Sequence, residues 1–170
     1  MTLDELNALP DASAADAFTA CCGSHRWVSA MVARRPYASV AAVITAATDA
    51  WRATSEADWR EAFHHHPRIG EARAASPQDQ RASSWSSVEQ SRAASADAAV
   101  KRQLAAVNAE YEARFGHIYI VCAAGRSVNE LLDIARSRLG NDPATELRVA
   151  ADEQRKITEL RLRKLLSEAT

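Results

Sequence analysis

A single all-α domain of about eight helices with one short extended segment is the fold this sequence predicts. Three observations carry that reading. Alanine is abundant while glycine numbers only five in 170 residues, apolar residues recur at helical spacing, and Ser, Thr or Asp stands before most of those runs as a cap. At 170 residues and 47% hydrophobic composition the chain is long enough to bury a real core, and no repeat or linker divides it, so residues 1–170 read as one domain.

Each element has its own local reason. Thr2-Leu3-Asp4-Glu5 has the form of a capping box and opens a short first helix. A second helix spans Asp11 to Cys22 and stops at Gly23. Ser24 caps a third, which carries Trp27, Val28 and Met31 and ends before Pro36. From Ser39 to Thr54, Val40, Val43, Ile44, Ala47 and Trp51 make a stripe at i, i+3, i+4 spacing. Ser55-Glu56-Ala57-Asp58 starts the short helix that delivers three consecutive histidines. Ser76-Pro77 resembles an N-cap followed by proline at the first helical position, and the serine-rich stretch Arg81 to Ser87 predicts a break. A long helix follows from Val88 or Ala96 through Phe115 and ends at Gly116. His117 to Ala123 is apolar and β-branched, bounded by Gly116 and Gly125, and prefers a strand or extended loop. A lone segment of that kind has no pairing partner, so its backbone groups need another use. Ser127-Val128-Asn129-Glu130 is another capping box, opening a helix that ends at Gly140, and Asp142-Pro143 begins the last helix, which runs to about Ser167.

Charge and composition exclude several function classes. A net charge of -1 leaves no electrostatic footprint for nucleic acid. No apolar run approaches the roughly 20 residues that span a bilayer, so no membrane partner is expected. The acidic start Met1-Thr2-Leu3-Asp4-Glu5-Leu6 lacks a signal-peptide core, and Ser167-Glu168-Ala169-Thr170 carries no peroxisomal address. Cys21 and Cys22 are adjacent and Cys122 stands alone, a poor disulfide framework that points to a reducing, cytoplasmic setting.

Four places can carry chemistry. In His64-His65-His66-Pro67-Arg68-Ile69-Gly70, Pro67 biases His66 away from helical dihedrals. The helix should therefore end there and present His66 at a bend, where an imidazole suits proton transfer; solvated surface histidines are the bland alternative. In Ser86-Ser87-Val88-Glu89-Gln90 a hydroxyl, a carboxylate and an amide gather at a helix start, where backbone N–H groups also point outward. Ser-x-x-Glu is equally a plain capping box. The segment Tyr119 to Ala123 is either an ordinary buried strand or a main-chain surface able to hydrogen-bond a small polar heterocycle. Arg161 falls on the inward face of the last helix with Leu147, Ala150, Gln154, Ile157 and Leu165. A charge there is costly unless paired, so Arg161 is a structural ion pair or a fork for a carboxylate or carbonyl-rich ligand. A metal site built from His64, His65 and His66 is disfavoured, because consecutive residues on a helix point about 100° apart; no metal ligand is assigned.

In order along the chain stand His66-Pro67-Arg68-Ile69-Gly70, Ser86-x-x-Glu89-Gln90, Asn108-x-x-Tyr111-x-x-Arg114-Phe115-Gly116 and Lys156-Ile157-x-x-Leu160-Arg161-Leu162. With these pieces, and with Arg34-Arg35-Pro36-Tyr37 near the start, the sequence resembles the 2-oxo-4-hydroxy-4-carboxy-5-ureidoimidazoline (OHCU) decarboxylase family over essentially its whole length. The resemblance implies an all-helical, cofactor-independent, commonly dimeric carboxy-lyase that converts OHCU to (S)-allantoin, the last enzymatic step of urate oxidation. It implies His66 as catalytic acid with Glu89 as its catalytic partner, and substrate contacts from Pro67, Ser86, Ser87, Val88, Glu89, Gln90, the backbone of Tyr119, Ile120, Val121, Cys122 and Ala123, and Arg161. His64 and His65 lie outside the family pattern and read as surface residues. Phe115-Gly116-His117-Ile118-Tyr119 departs from the family's Phe-Gly-Phe-Pro-Phe in side chains more than in main chain. The rival readings are a metal-dependent hydrolase using the His64–His66 cluster and a non-catalytic helical interaction module.

Overall fold

The computed structural model describes residues 1–69 and 98–167. Its helices in chain order are α1 (Leu3–Ala8), α2 (Asp11–Cys21), α3 (His25–Ala33), α4 (Val40–Arg52), α5 (Glu56–His64), α6 (Ala98–Phe115), α7 (Val128–Arg138) and α8 (Pro143–Ser167). No strand occurs among the described residues, so the fold is all-α as the sequence predicts. The expected helix at Ser76-Pro77, the break from Arg81 to Ser87 and the cluster from Ser86 to Gln90 lie outside the described residues.

Capping chemistry sets the helix starts. Thr2, Ser24, Ser39, Ser55 and Ser127 each accept the N–H of the third helical residue through their hydroxyl oxygens. At Thr2, Ser55 and Ser127 the acidic residue at that position reaches back to the cap's own N–H and completes the box. At the head of α8, Asp142 Oδ1 accepts the N–H groups of Ala144 and Thr145 at 3.1 and 3.0 Å. The tail of α6 turns at Gly116, whose φ of +70° lies in the left-handed region that a residue with a Cβ avoids.

The contacts divide the chain into two compact units, one within Met1–His65 and Arg155–Thr170 and the other within His66–Gln154. In the first, Leu6, Phe18, Trp27, Met31, Val43, Phe63, Leu162 and Leu165 are fully buried, each side chain of this kind contributing roughly 1.5–3 kcal/mol. Trp27 meets Phe18 edge-on with centroids 6.0 Å apart, and its indole N–H donates to the Ala47 carbonyl at 3.0 Å. The Arg35 guanidinium donates to the Leu6 and Leu9 carbonyls at 2.9 and 2.7 Å and to Asp11 Oδ1 at 2.6 Å. Those are carbonyls that the end of α1 leaves without helical partners. The Arg34-Arg35-Pro36-Tyr37 stretch thus has a structural duty.

In the second unit, Leu104, Val107, Tyr111 and Phe115 of α6 pack on Val128, Leu131, Leu132 and Ala135 of α7, with Tyr119, Val121 and Ala123 in the same apolar cluster. Residues 118–123 form neither helix nor strand. Their backbone is held instead by side chains and a turn. Arg138 Nη1 donates to the Ile120 carbonyl at 2.8 Å, Cys122 N–H donates to Glu153 Oε2 at 2.8 Å, and Arg126 N–H donates to the Ala123 carbonyl at 3.1 Å. That is the other use the sequence demanded. Cys21 and Cys22 are buried and Cys122 is half-buried, all three as free thiols. Among the described residues no helix is long and apolar enough to cross a membrane.

Candidate active site

The path to His66 begins at the head of α5. The Ser55 N–H and hydroxyl both donate to the Asp58 carboxylate at 2.7 Å and hold its pKa below the usual range. The helix ends at His64, with His65 as its C-cap, as the dihedral preference imposed by Pro67 predicts. The three histidines then diverge. His64 turns back on its own helix, its Nδ1 donating to the Arg60 carbonyl at 2.6 Å. His65 packs against Gly23, where an added Cβ would come within 2.2 Å of its Cγ and 2.6 Å of its Cβ. His66 is half-buried, as is Pro67.

Just beyond His66 the chain is gripped by α6. Arg68 forms a two-pronged ion pair with Glu112, Nε to Oε1 at 2.6 Å and Nη2 to Oε2 at 2.9 Å. One turn earlier on the same face, Asn108 Nδ2 donates to the Ile69 carbonyl at 3.1 Å. The remaining residues of the Asn108 to Gly116 motif also have assignable duties. The Tyr111 hydroxyl donates to Glu146 Oε1, Arg114 Nη2 donates to the Asn141 carbonyl at 3.1 Å, and Phe115 stacks at a tilt on Tyr111 at 4.7 Å.

In the 119–123 segment Tyr119, Ile120, Val121 and Ala123 are buried, at 3%, 2%, 5% and 7% exposure, and Cys122 is half-buried. Under the segment sits a charged knot. Arg138 Nε donates to Glu146 Oε1 at 2.8 Å and Arg138 Nη2 donates to the Tyr111 hydroxyl at 3.2 Å. Asn141 Nδ2 occupies the other Glu146 oxygen at 2.7 Å. The guanidinium also lies 5.7 and 5.0 Å from the ring centroids of Tyr111 and Tyr119. Burial alone would lower the Arg138 pKa, but hydrogen bonding and charge from Glu146 outweigh it and the net shift is upward. Burial drives both tyrosine hydroxyls well above their ordinary range, so they stay neutral donors.

Arg161 lies in the first unit and is 2% exposed. Leu147, Ala150, Gln154, Ile157 and Leu165 are all buried with it, as the wheel of the last helix predicts. Its charge is felt at Cys22. Burial pushes that thiol up to about 11, opposed in part by hydrogen bonds from Ser24 and Thr158 and by the positive charge of Arg161.

The described portion of the candidate set thus falls in two places: His66, Pro67 and Tyr119–Ala123 in the second unit, Arg161 in the first. Sequence reasoning missed Glu112, Arg138, Glu146 and Glu153. The signal for three of them was present. Arg138 extends the α7 stripe of Val128, Leu131, Leu132 and Ala135, and Glu146 and Glu153 lie on the inward face of α8 beside Ala150. Among the described residues, no group of three or more His, Cys, Asp or Glu side chains is gathered to hold a metal ion.

Comparison with known proteins gives one consistent relationship. Residues 7–163 match the family model described as OHCU decarboxylase. The uric acid degradation bifunctional protein TTL of Arabidopsis thaliana is 37% identical over 153 residues, 90% of this chain and 47% of that protein. The 2-oxo-4-hydroxy-4-carboxy-5-ureidoimidazoline decarboxylase of Amia calva is 37% identical over 70 residues, 41% of this chain and 40% of that protein. The chain thus spans about half the length, or less, of these curated relatives. A solved OHCU decarboxylase, crystallised in the presence of (S)-allantoin, superposes with a TM-score of 0.76 at 37% identity, covering 90% of this chain and 99% of that one. A solved (S)-allantoin synthase, 17% identical, shares the fold at a TM-score of 0.70 over 98% of this chain and 54% of that one. With the family model matched from residue 7 to residue 163, the chain belongs to the OHCU decarboxylase family.

Proposed function

We propose that this protein decarboxylates OHCU to (S)-allantoin, as one family domain spanning residues 1–170. The observation that carries the reading is the match to a solved OHCU decarboxylase along 99% of that protein's length at 37% identity. The bend that presents His66 beyond α5, anchored by Arg68 and Asn108 contacts, supports it.

The chemistry needs no external electron sink. In OHCU the carbon that bears the carboxylate also bears a hydroxyl and adjoins an imine carbon. When the C–C bond to the carboxylate breaks, CO2 leaves. The released electron pair forms a double bond to the former imine carbon, and the imine pair moves to nitrogen, which takes a proton. Protonation of the former imine carbon and loss of the hydroxyl proton then give the ring amide carbonyl of allantoin. Delivery of that proton to one face sets the configuration. The protein must orient the carboxylate out of the ring plane, exclude water and supply the proton from one side.

His66 is the acid that gives that proton. Glu89 holds ring or ureido N–H groups, assisted by Pro67, Ser86, Ser87, Val88 and Gln90. The backbone of Tyr119, Ile120, Val121, Cys122 and Ala123 reads the ureido and oxo groups, and Arg161 stabilises negative charge on the substrate or on Glu89. No cofactor or metal takes part. A cytoplasmic homodimer that engages neither nucleic acid nor membrane completes the reading.

Turnover of OHCU, freshly generated from 5-hydroxyisourate, tests it. After EDTA treatment and dialysis, consumption should remain proportional to enzyme concentration and well above spontaneous decay. A rate no greater than spontaneous decay would leave the family relationship without this activity, and recovery only on adding a divalent ion would favour the hydrolase reading.

A further inference from the structure

We propose that Arg138 and Glu153 are positioning residues that set the two peptide planes flanking Val121, so that the N–H and C=O of Val121 form the donor–acceptor pair that reads the substrate. The inference rests on the reading above that the 119–123 backbone contacts OHCU.

The geometry begins with where the guanidinium's donors go. Nε and Nη2 of Arg138 are spent on Glu146 and the Tyr111 hydroxyl, and Nη1 reaches the Ile120 carbonyl at 2.8 Å. Two residues on, the Cys122 N–H is held at 2.8 Å by Glu153, itself 7% exposed, with Arg126 Nη1 at 4.0 Å from the same oxygen. The Ile120 carbonyl and the Val121 N–H share one peptide plane. The Val121 carbonyl and the Cys122 N–H share the next. In a trans peptide the C=O and N–H are antiparallel. Holding the Ile120 carbonyl toward Arg138 therefore turns the Val121 N–H the opposite way, and holding the Cys122 N–H toward Glu153 does the same to the Val121 carbonyl.

A donor and an acceptor on one residue match the alternating N–H and C=O of a ureido group or an imidazolone edge. A buried ion pair such as Arg138–Glu146 is weak evidence for stability by itself. A guanidinium is needed here because it serves a carboxylate, a hydroxyl and a backbone carbonyl in one plane, which a lysine ammonium cannot do.

The experiment compares wild type with Arg138→Lys in steady-state turnover of freshly generated OHCU, and follows the Val121 amide resonance on titration with (S)-allantoin. Wild type should turn over OHCU and show a saturable Val121 shift. Arg138→Lys should raise KM tenfold or more, lower kcat less than threefold, and weaken the Val121 response in parallel. A KM within twofold of wild type, whatever the change in Tm, would make Arg138 a structural residue only and overturn the proposal. A wild type that turns over OHCU with no Val121 response would remove the backbone reading and the proposal with it, and a wild type with no turnover would remove both through the function. Should Arg138→Lys fail to fold, Glu153 decides. Glu153→Gln keeps an acceptor for the Cys122 N–H and Glu153→Met does not, so KM should rise more in the second; equal values in the two would overturn the proposal.

Discussion

Two short non-helical stretches of the second unit are built in opposite ways. Residues 66–69 leave side chains accessible: His66 and Pro67 are half-buried, Arg68 is exposed, and the anchors reach in from α6. In residues 119–123 four of the five side chains are buried, and the charged groups of α7 and α8 hold the main chain. The difference follows from the work proposed for each. A proton donor must meet solvent to regain its proton and must change charge within each turnover, which deep burial would oppose. A reader of carbonyls and N–H groups gains from rigidity, because a peptide plane fixed before binding costs no ordering entropy when the ligand arrives.

The largest expected effect lies on the accessible side. His66→Ala should cut kcat by about 10²–10⁴-fold, the usual worth of a positioned general acid, while Tm stays nearly unchanged, since replacing a half-exposed side chain is usually within about 0.5 kcal/mol. His64→Ala should retain most activity, because its ring is engaged with the Arg60 carbonyl of its own helix. Equal losses at the two positions would break the distinction drawn among the three histidines.

A smaller effect is expected at Gly23. A methyl group there would overlap both the ring and the Cβ of His65, so rotating the ring alone does not relieve the clash. Gly23→Ala should cost about 1–3 kcal/mol in denaturant unfolding and lower kcat severalfold, because the α5 C-cap that precedes His66 must shift. Loss of stability with unchanged kcat would show that His66 is set by its downstream anchors instead.

Much of this architecture is legible in the sequence because it rests on local chemistry. Thr2, Ser24, Ser39, Ser55 and Ser127 announce helix starts within one turn of themselves, and Pro67 announces the end of α5. The inward placement of Arg161 follows from helical periodicity alone. Glu112 was not legible, since its partner Arg68 lies 44 residues away and nothing local marks the pairing. Arg138, Glu146 and Glu153 sit on apolar stripes and could have been flagged as buried charges. Which backbone group each one holds depends on tertiary packing that no spacing rule encodes. Where His117-Ile118-Tyr119 departs from the family's aromatic pattern, His117 and Tyr119 both pack on the Tyr111 ring and the Tyr119 hydroxyl donates to the Leu131 carbonyl at 3.1 Å, while Arg138 and Glu153 hold the main chain that follows.

The central claim is one-sided proton delivery to a substrate that loses CO2 unaided by metal or cofactor. Circular dichroism of the allantoin formed from freshly generated OHCU tests it most directly. With wild-type protein the product should accumulate with the signal of an (S) excess at a rate above spontaneous decay, and His66→Ala should give racemic product at the spontaneous rate. Racemic product from the wild type, or an undiminished (S) excess from His66→Ala, would contradict it.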